Sequence, residues 1–175
     1  MSSISAVDVG LLILRAGLGA VMIAHGYNHI FGGGKIAGTA RWFDGLGMRP
    51  GLLHAWTASL TELGAGGLLL LGAITPLAAA GVIGVMVVAL VTNHRRNGFF
   101  IFRPGEGYEY VMMLTLAAAT LAGTGAGRLS IDYAIGIFQP PGWAWFAIAL
   151  GAGLAGAAGL LGACWRPPSR AKSPS

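Results

Sequence analysis

The sequence contains few charged residues and almost no cysteine. Only 10% of its 175 residues are charged, and Cys164 is the single cysteine. One cysteine excludes an internal disulfide, a CxxC redox pair, a cysteine-ligated iron–sulfur cluster and a cysteine-rich zinc site. Any redox chemistry would therefore use a cofactor that the protein borrows. The net charge of +5 lies on a chain that is 55% hydrophobic, so no basic face for nucleic acid on a soluble fold is expected.

Apolar residues are abundant instead, and the mean hydropathy is +0.70. A transmembrane helix needs about 20 mostly apolar residues. Five runs meet or approach this length: Val9–Ile30, Leu52–Leu71, Leu77–His94, Tyr108–Ala122 and Trp143–Cys164. They predict an all-α fold, a polytopic membrane helix bundle with five spans. The short link at residues 72–76 makes the second and third spans an antiparallel hairpin, and residues 32–51 favour a short interfacial helix.

Basic residues are distributed unevenly between the two sides of such a bundle. With five spans, one side carries nine of them: Lys35, Arg41, Arg49, Arg95, Arg96, Arg103, Arg166, Arg170 and Lys172. The other side carries only Arg128, and Arg15 lies within the first span. The positive-inside rule then predicts an N-terminus outside and a C-terminus in the cytoplasm. Residues 166–175, which are rich in Pro, Ser and basic side chains, predict a disordered tail.

Six ionisable side chains are expected at membrane depth, where their cost makes them candidates for function. They are Arg15, His25, His29, Glu62, His94 and Glu109. Helical spacing places the first three on one stripe of the first span. We expect an Arg15–Glu62 ion pair near the middle of the membrane, because each charge would neutralise the other; such a pair could bind a ligand or only fix the helix register. The other four would form an inner polar group.

The histidines leave several interpretations open. Imidazole titrates near neutral pH and both donates and accepts hydrogen bonds, so these residues could form a proton relay or bind a quinone headgroup. A histidine near a helix end can also simply meet water or lipid headgroups, and His54 is expected to do so. His25, His29, His94 and Glu109 could ligate a metal, and two facing histidines a haem. Spacing alone specifies neither, so no metal site is assigned, and haem or metal ranks below quinone.

Two further segments are assigned a contact surface. Phe99 and Phe100 belong to an apolar run in the third loop, which is expected to dip into the interface or fold against the bundle. They are assigned to binding, with membrane anchoring as the alternative. In the last span, Gly151, Ala155 and Gly159 recur every four residues and predict a packing face for the bundle or for another subunit.

Several short motifs occur in an order typical of one family. They are Arg15 and His25-Gly26, Glu62 with Gly66-Gly67, Thr75, His94 followed by Gly98-Phe99-Phe100, Gly107-Tyr108-Glu109, and the segment from Gly125 to Asp132. Together they resemble the DoxX family over roughly residues 9–132. The resemblance implies a four-helix core in a bacterial plasma membrane. It also implies a redox role, because a related subunit belongs to a thiosulfate:quinone oxidoreductase. Other members are associated with superoxide dismutase and a thiosulfate sulfurtransferase in oxidative-stress defence.

The chain departs from this family pattern at three places. His29 stands where many relatives have lysine, which would make a cation there pH-dependent, Ala126 replaces a proline, and a fifth helix follows the core. The predicted organisation is therefore a DoxX-like four-helix core at residues 1–132, an additional span at 133–165 and a basic cytoplasmic tail at 166–175.

The polar column and the resemblance lead to one functional hypothesis. The chain is expected to be an integral membrane subunit, not an autonomous enzyme, of a quinone-linked redox/sulfur or oxidative-stress detoxification system. Its basic loops would dock redox subunits of the superoxide dismutase or sulfurtransferase type. The residues assigned to catalysis are Glu62, His25, His94 and Glu109, and those assigned to binding are Arg15, His29, Phe99 and Phe100. The alternatives are a non-catalytic scaffold of a respiratory or redox assembly and a small transporter acting as a homo-oligomer.

Overall fold

A computed structural model describes residues 3–138 and 141–167, and this part of the chain is helical. The predicted all-α class is confirmed. The α-helices in these residues are α1 (Ala6–Phe31), α2 (Lys35–Gly45), α3 (Gly51–Leu71), α4 (Thr75–Thr92), α5 (Glu109–Thr124), α6 (Ile131–Ala134) and α7 (Trp143–Cys164). A single 3₁₀ turn, His94–Arg96, follows α4. The predicted tail falls mostly on residues 168–175, with Arg170 and Lys172, which lie outside the described residues.

Five long helices correspond to the five predicted apolar runs. Three of them, α1, α4 and α7, are long and apolar enough to cross a membrane. α5 is apolar but has only 16 residues, and α3 has 21 residues but carries the polar side chains of His54, Ser59 and Glu62. These lengths and apolar surfaces agree with a helical bundle in a membrane.

Local sequence signals set where these helices begin and end. Ser5 and Asp8 form a capping box at the start of α1, which satisfies two backbone N–H groups that the first turn leaves free. α3 ends at Gly72, whose φ of 63° is left-handed and therefore favours glycine. Pro76 lies in the first turn of α4, where its missing N–H costs nothing.

The long helices alternate in direction, so the bundle has two distinct ends. At the Asp132 end, α1 and α4 begin and α3 ends; there Asp132 accepts from Thr75 N–H and Arg15 from α1 contacts Leu69 of α3. At the opposite end, α7 ends beside the turn that precedes α3, and the Arg49 N–H donates to the Cys164 carbonyl at 3.2 Å. The described basic residues of the predicted cytoplasmic loops lie at this second end, here named the basic end.

α4 is the central helix of the bundle. It packs against α3, α5 and α7, and 44% of its membrane span is buried, compared with 17% for α7. α7 is therefore an outer helix that covers one side of α4. It packs through Ala149, Gly153 and Ala157, which are buried. The prediction that Gly151, Ala155 and Gly159 pack against the bundle was wrong, because these residues are exposed. The predicted and the observed faces have the same four-residue spacing, so the spacing does not show which of them faces the bundle.

The predicted interfacial helix is present as α2, which packs against α3 and α1 at the basic end. Its buried residues are Ala40 and Phe43. They join Met48 and Ala55 in a small core of their own, separate from the main core of the bundle. α2 thus lies across the basic end and covers the beginning of α3.

Candidate functional site

A cavity of about 720 Å³ lies in the half of the bundle nearest the basic end. Its walls come from α3 and α4, with contributions from α1, α2, α5 and α7. Most of the lining is apolar, but the four histidines of the chain, His25, His29, His54 and His94, all reach it. Glu62 from α3 lines it as well. The fold therefore gathers these polar groups from two helices, α1 and α3, and from the 3₁₀ turn into a single space.

Glu62 and His29 form the most buried charged contact of the cavity. Nδ1 of His29 lies 3.1 Å from Oε2 of Glu62, and their side chains are 19% and 4% exposed. The separation is that of an ion pair, but the ring and carboxylate are not aligned as a hydrogen bond, and neither atom has another partner in the described part of the chain. Since buried polar atoms are nearly always paired, this contact is available to a ligand or a proton.

His25 and His94 are held by backbone carbonyls in the same way. Nδ1 of His25 is 2.9 Å from the Val21 carbonyl oxygen, and Nδ1 of His94 is 2.9 Å from that of Glu106. Because a carbonyl oxygen only accepts, Nδ1 of each ring must carry a proton. In the neutral ring Nε2 is then an acceptor. Nε2 of His94 accepts weakly from the Asn93 amide at 3.4 Å, whereas His25 also stacks on Tyr110 with 5.9 Å between ring centroids.

His54 is the histidine whose position the sequence did not predict. It was expected at the interface, but it is only 3% exposed and packs near Phe43 of α2, with 6.3 Å between ring centroids. Its Nε2 is buried without a hydrogen-bond partner among the described residues. The reason is tertiary: α2 and Met48 cover the start of α3, which a position near a helix end could not reveal.

Arg15 does not belong to this cavity, and the predicted Arg15–Glu62 contact is wrong. Its guanidinium donates to the carbonyls of Leu69 (2.9 Å) and Leu70 at the end of α3, and to that of Leu129. α1 and α3 run antiparallel with Gly19 against Gly66. Arg15 is therefore level with the end of α3, while Glu62 lies about two turns nearer the basic end.

Comparison with known families accounts for this bundle. The family model described as DoxX matches residues 10–95, about half of the chain. The chain is a DoxX-family membrane protein. Neither a search of curated proteins nor a search of solved structures finds a match. The DoxX match runs from α1 through α4 to the turn after it, so it contains all four histidines and Glu62.

The rest of the cavity wall comes from outside the DoxX match. Tyr110 of α5, small residues of α7, and Ile101 and Glu106 of the loop before α5 contribute to it. Tyr110 was not predicted, because candidates were selected by the free-energy cost of a charged side chain inside the membrane, and tyrosine is uncharged. Its neighbour Glu109 was selected by that cost, but the Glu109 carboxylate turns back to accept the Ile101 N–H at 3.0 Å. Successive side chains on a helix point about 100° apart. Tyr110 therefore lines the cavity, whereas Glu109 does not.

The aromatic pair Phe99 and Phe100 also lies outside the cavity lining. The two rings are T-shaped at 5.3 Å and are 40% and 45% exposed, while the next residue, Ile101, lines the cavity. Of the residues assigned to catalysis or binding, the DoxX fold therefore brings four together, His25, His29, Glu62 and His94. Arg15, Glu109, Phe99 and Phe100 lie elsewhere.

The arrangement does not assemble a metal-ligand set. Within residues 3–138 and 141–167, no group of three or more His, Cys, Asp or Glu side chains is placed to hold a metal ion. The alternative set of His25, His29, His94 and Glu109 fails because Glu109 faces the loop and the histidines are spread around the cavity. What the DoxX cavity offers is a set of separate hydrogen-bonding groups on apolar walls.

Proposed function

We propose that this DoxX-family protein is the membrane subunit of a quinone-linked redox/sulfur or oxidative-stress detoxification system. In this proposal the cavity holds a quinone, and the basic end docks the partner that exchanges electrons with it. One observation carries the proposal: all four histidines and the buried Glu62 converge on one cavity whose walls are mostly apolar. Such a cavity suits an apolar ring with a few polar atoms better than a soluble ion.

The size and chemistry of the cavity fit a quinone. Small-molecule cavities have volumes of about 300–1,000 Å³, mostly apolar walls and a few directed polar groups, and this cavity has about 720 Å³. Quinone oxygens accept hydrogen bonds, and the donors on the cavity wall include the rings of His29 and His54 and the Tyr110 hydroxyl. A bound quinone would supply reversible transfer of two electrons with two protons.

The residues of the chain would supply the protons. Glu62 and His29 are 3.1 Å apart, so a proton can pass between Oε2 and Nδ1 with little movement. His29 is only partly buried and can exchange that proton with the basic end. His25 and His94 keep their Nδ1 protons on backbone carbonyls, so Nε2 of each neutral ring would accept a hydrogen bond from a hydroxyl of the reduced quinone.

The basic end would recruit the soluble partner. Arg41, Arg49, Arg95, Arg96 and Arg103 are exposed there, and Arg95 lies over the Trp165 ring at 5.5 Å from its centroid. Clustered positive charge raises the rate of association with an acidic surface and makes it salt-dependent. A partner of the superoxide dismutase or sulfurtransferase type with an acidic face would satisfy this requirement.

Native mass spectrometry of the gently extracted full chain tests the proposal. We expect a retained mass equal to a membrane quinone, confirmed by extraction and its ultraviolet spectrum. Glu62→Gln and His25→Ala should lower retention at least tenfold, because they remove groups of the cavity. Glu109→Gln is the matched control, since its carboxylate lies off the cavity, and it should retain quinone like the native chain.

Other results would replace the proposal with one of its alternatives. A stoichiometric protein partner without quinone would favour the non-catalytic scaffold. A homo-oligomer with neither quinone nor partner would favour the small transporter. If Glu62→Gln, His25→Ala and Glu109→Gln all retain quinone equally, the cavity is not where the quinone binds.

A further inference from the structure

The cavity continues beyond its histidines into an apolar groove along α4. This groove, named here the α3–α7 groove, is bounded by Thr57 of α3, Gly81 and Gly84 of α4, and Gly156 and Leu160 of α7. A side chain added at Gly156 would meet nothing within 4 Å. Gly156 therefore leaves open space on the α7 side of this groove.

The α3–α7 groove is open to the side and closed at the basic end. α7 approaches α4 closely at Gly153, where an added Cβ would lie 2.8 Å from the Ala80 carbonyl oxygen, but it makes no extensive contact with α3. The two residues that follow α7 bind the turn before α3: Arg166 N–H donates to the Gly47 carbonyl at 2.8 Å, and the Trp165 indole N–H donates to the Leu46 carbonyl at 3.0 Å.

Unsatisfied polar groups line the same cavity as this groove. His54 is 3% exposed and its Nε2 has no partner in the described residues. Oε2 of Glu62, which is also 3% exposed, lies close to His29 but has no hydrogen-bond partner in the part of the chain that the structure describes. A buried polar atom without a partner is costly, and a pure hydrocarbon in the groove would leave that cost unchanged. The occupant must therefore combine a chain with a hydrogen-bonding head.

We infer that the ligand is a long-tailed quinone that enters sideways from the bilayer between α3 and α7. Its chain lies in the α3–α7 groove, and its head reaches His54 and Glu62. This inference rests on the proposed function and adds to it the ligand's tail, the entry route and the role of α7. It also assigns a role to α7, which lies outside the DoxX match: α7 packs on α4 and forms one wall of the groove.

The test compares two quinones of the same ring, one with a ten-carbon chain and one without a chain, in nanodiscs of the full-length protein. Both are compared at equal concentration in the bilayer, so that partition does not enter. We expect the tailed quinone to bind at least tenfold more tightly. Gly156→Leu should abolish this preference, because the new side chain fills the groove, and it should leave the binding of the tail-less ring unchanged.

Gly159→Leu is the matched control on the same helix. A side chain added at Gly159 also meets nothing within 4 Å, but this residue does not line the cavity, so the tail preference should persist. Thr57→Leu narrows the groove from the α3 side and should reproduce the effect of Gly156→Leu. Equal binding of the two quinones, or a preference that survives both Gly156→Leu and Thr57→Leu, overturns the inference while the proposed function stands. Binding of neither quinone overturns the proposed function itself.

Discussion

The two ends of the bundle bury ionisable groups in opposite ways. At the Asp132 end, Asp132 accepts from the N–H groups of Ile74 (2.6 Å) and Thr75 (2.9 Å). Asp8 accepts from the Arg128 N–H at 2.9 Å, and two nitrogens of Arg15 donate to backbone carbonyls. At the other end, three buried atoms of the polar groups around the cavity have no hydrogen-bond partner among the described residues.

This contrast separates structural charges from candidate functional ones. Arg15, the most buried charge of the first span at 2% exposure, donates to carbonyls at the end of α3 and just before α6. Within the described residues, its Nε is the one guanidinium nitrogen without a partner. A buried charge whose hydrogen bonds are made mostly within the fold stabilises the fold. Those whose bonds are incomplete, on the wall of a cavity, are the better candidates for ligand binding.

Arg15→Met should produce the largest loss of stability. It removes the Arg15 donor from the carbonyls of Leu70 and Leu129, and it leaves the Leu69 carbonyl only its bond from the Gly72 N–H. Hydrogen bonds to charged groups contribute about 1.5–3 kcal/mol each. We expect the free energy of unfolding to fall by about 3 kcal/mol, measured by denaturant titration in detergent micelles. Arg103→Met, at an exposed residue, is the control. If Arg15→Met leaves the unfolding midpoint unchanged, the charges at the Asp132 end are not distinguished by a structural role.

Asp132→Ala should have the next largest effect. The carboxylate satisfies two N–H groups at the start of α4 and also accepts from the Thr75 hydroxyl at 2.6 Å. Loss of a capping side chain costs about 0.5–2 kcal/mol, and this cap is buried, so the upper part of that range is expected. Asp132→Asn should lose less, because its Oδ1 can still accept. A similar loss in both variants would mean that charge, not hydrogen bonding, is what matters.

Glu62→Gln should change stability by less than about 1 kcal/mol, because the attraction to His29 is offset by the cost of burying the charge. The same denaturant titration measures this change. Its effect on quinone retention should nevertheless be at least tenfold. A loss of stability as large as that of Arg15→Met, with retention intact, would show that Glu62 belongs to the structural group.

His54→Phe should have the smallest effect on folding, within about 1 kcal/mol of the native chain and in the stabilising direction. The buried imidazole has an unpaired nitrogen, and the phenyl ring that takes its place is apolar. The substitution therefore removes the free-energy cost of burying that nitrogen. Thermal unfolding followed by tryptophan fluorescence is the measurement. Clear destabilisation would indicate that Nε2 is satisfied in the native protein.

Part of the candidate site could be predicted from the sequence and part could not. The cost of ionisable residues in a membrane selected His25, His29, Glu62 and His94, and all four line the cavity. The same criterion selected Arg15 and Glu109, which do not line the cavity. The cost of placing an ionisable side chain in the membrane does not tell which way that side chain points. The criterion passed over Tyr110, which is uncharged, and placed His54 at the interface, because the cover formed by α2 is a tertiary feature.

The number of long helices, their alternation and the gathering of the basic loops at one end were determined by the sequence itself. Hydropathy and charge are sums over neighbouring residues, so they can be evaluated without knowing the fold. The tertiary structure alone decided that Arg15 bonds to the end of α3, that His29 meets Glu62 and that α7 leaves a groove beside α4. Those pairings depend on the rotation and relative height of whole helices, which a small change in packing alters for every side chain on the helix.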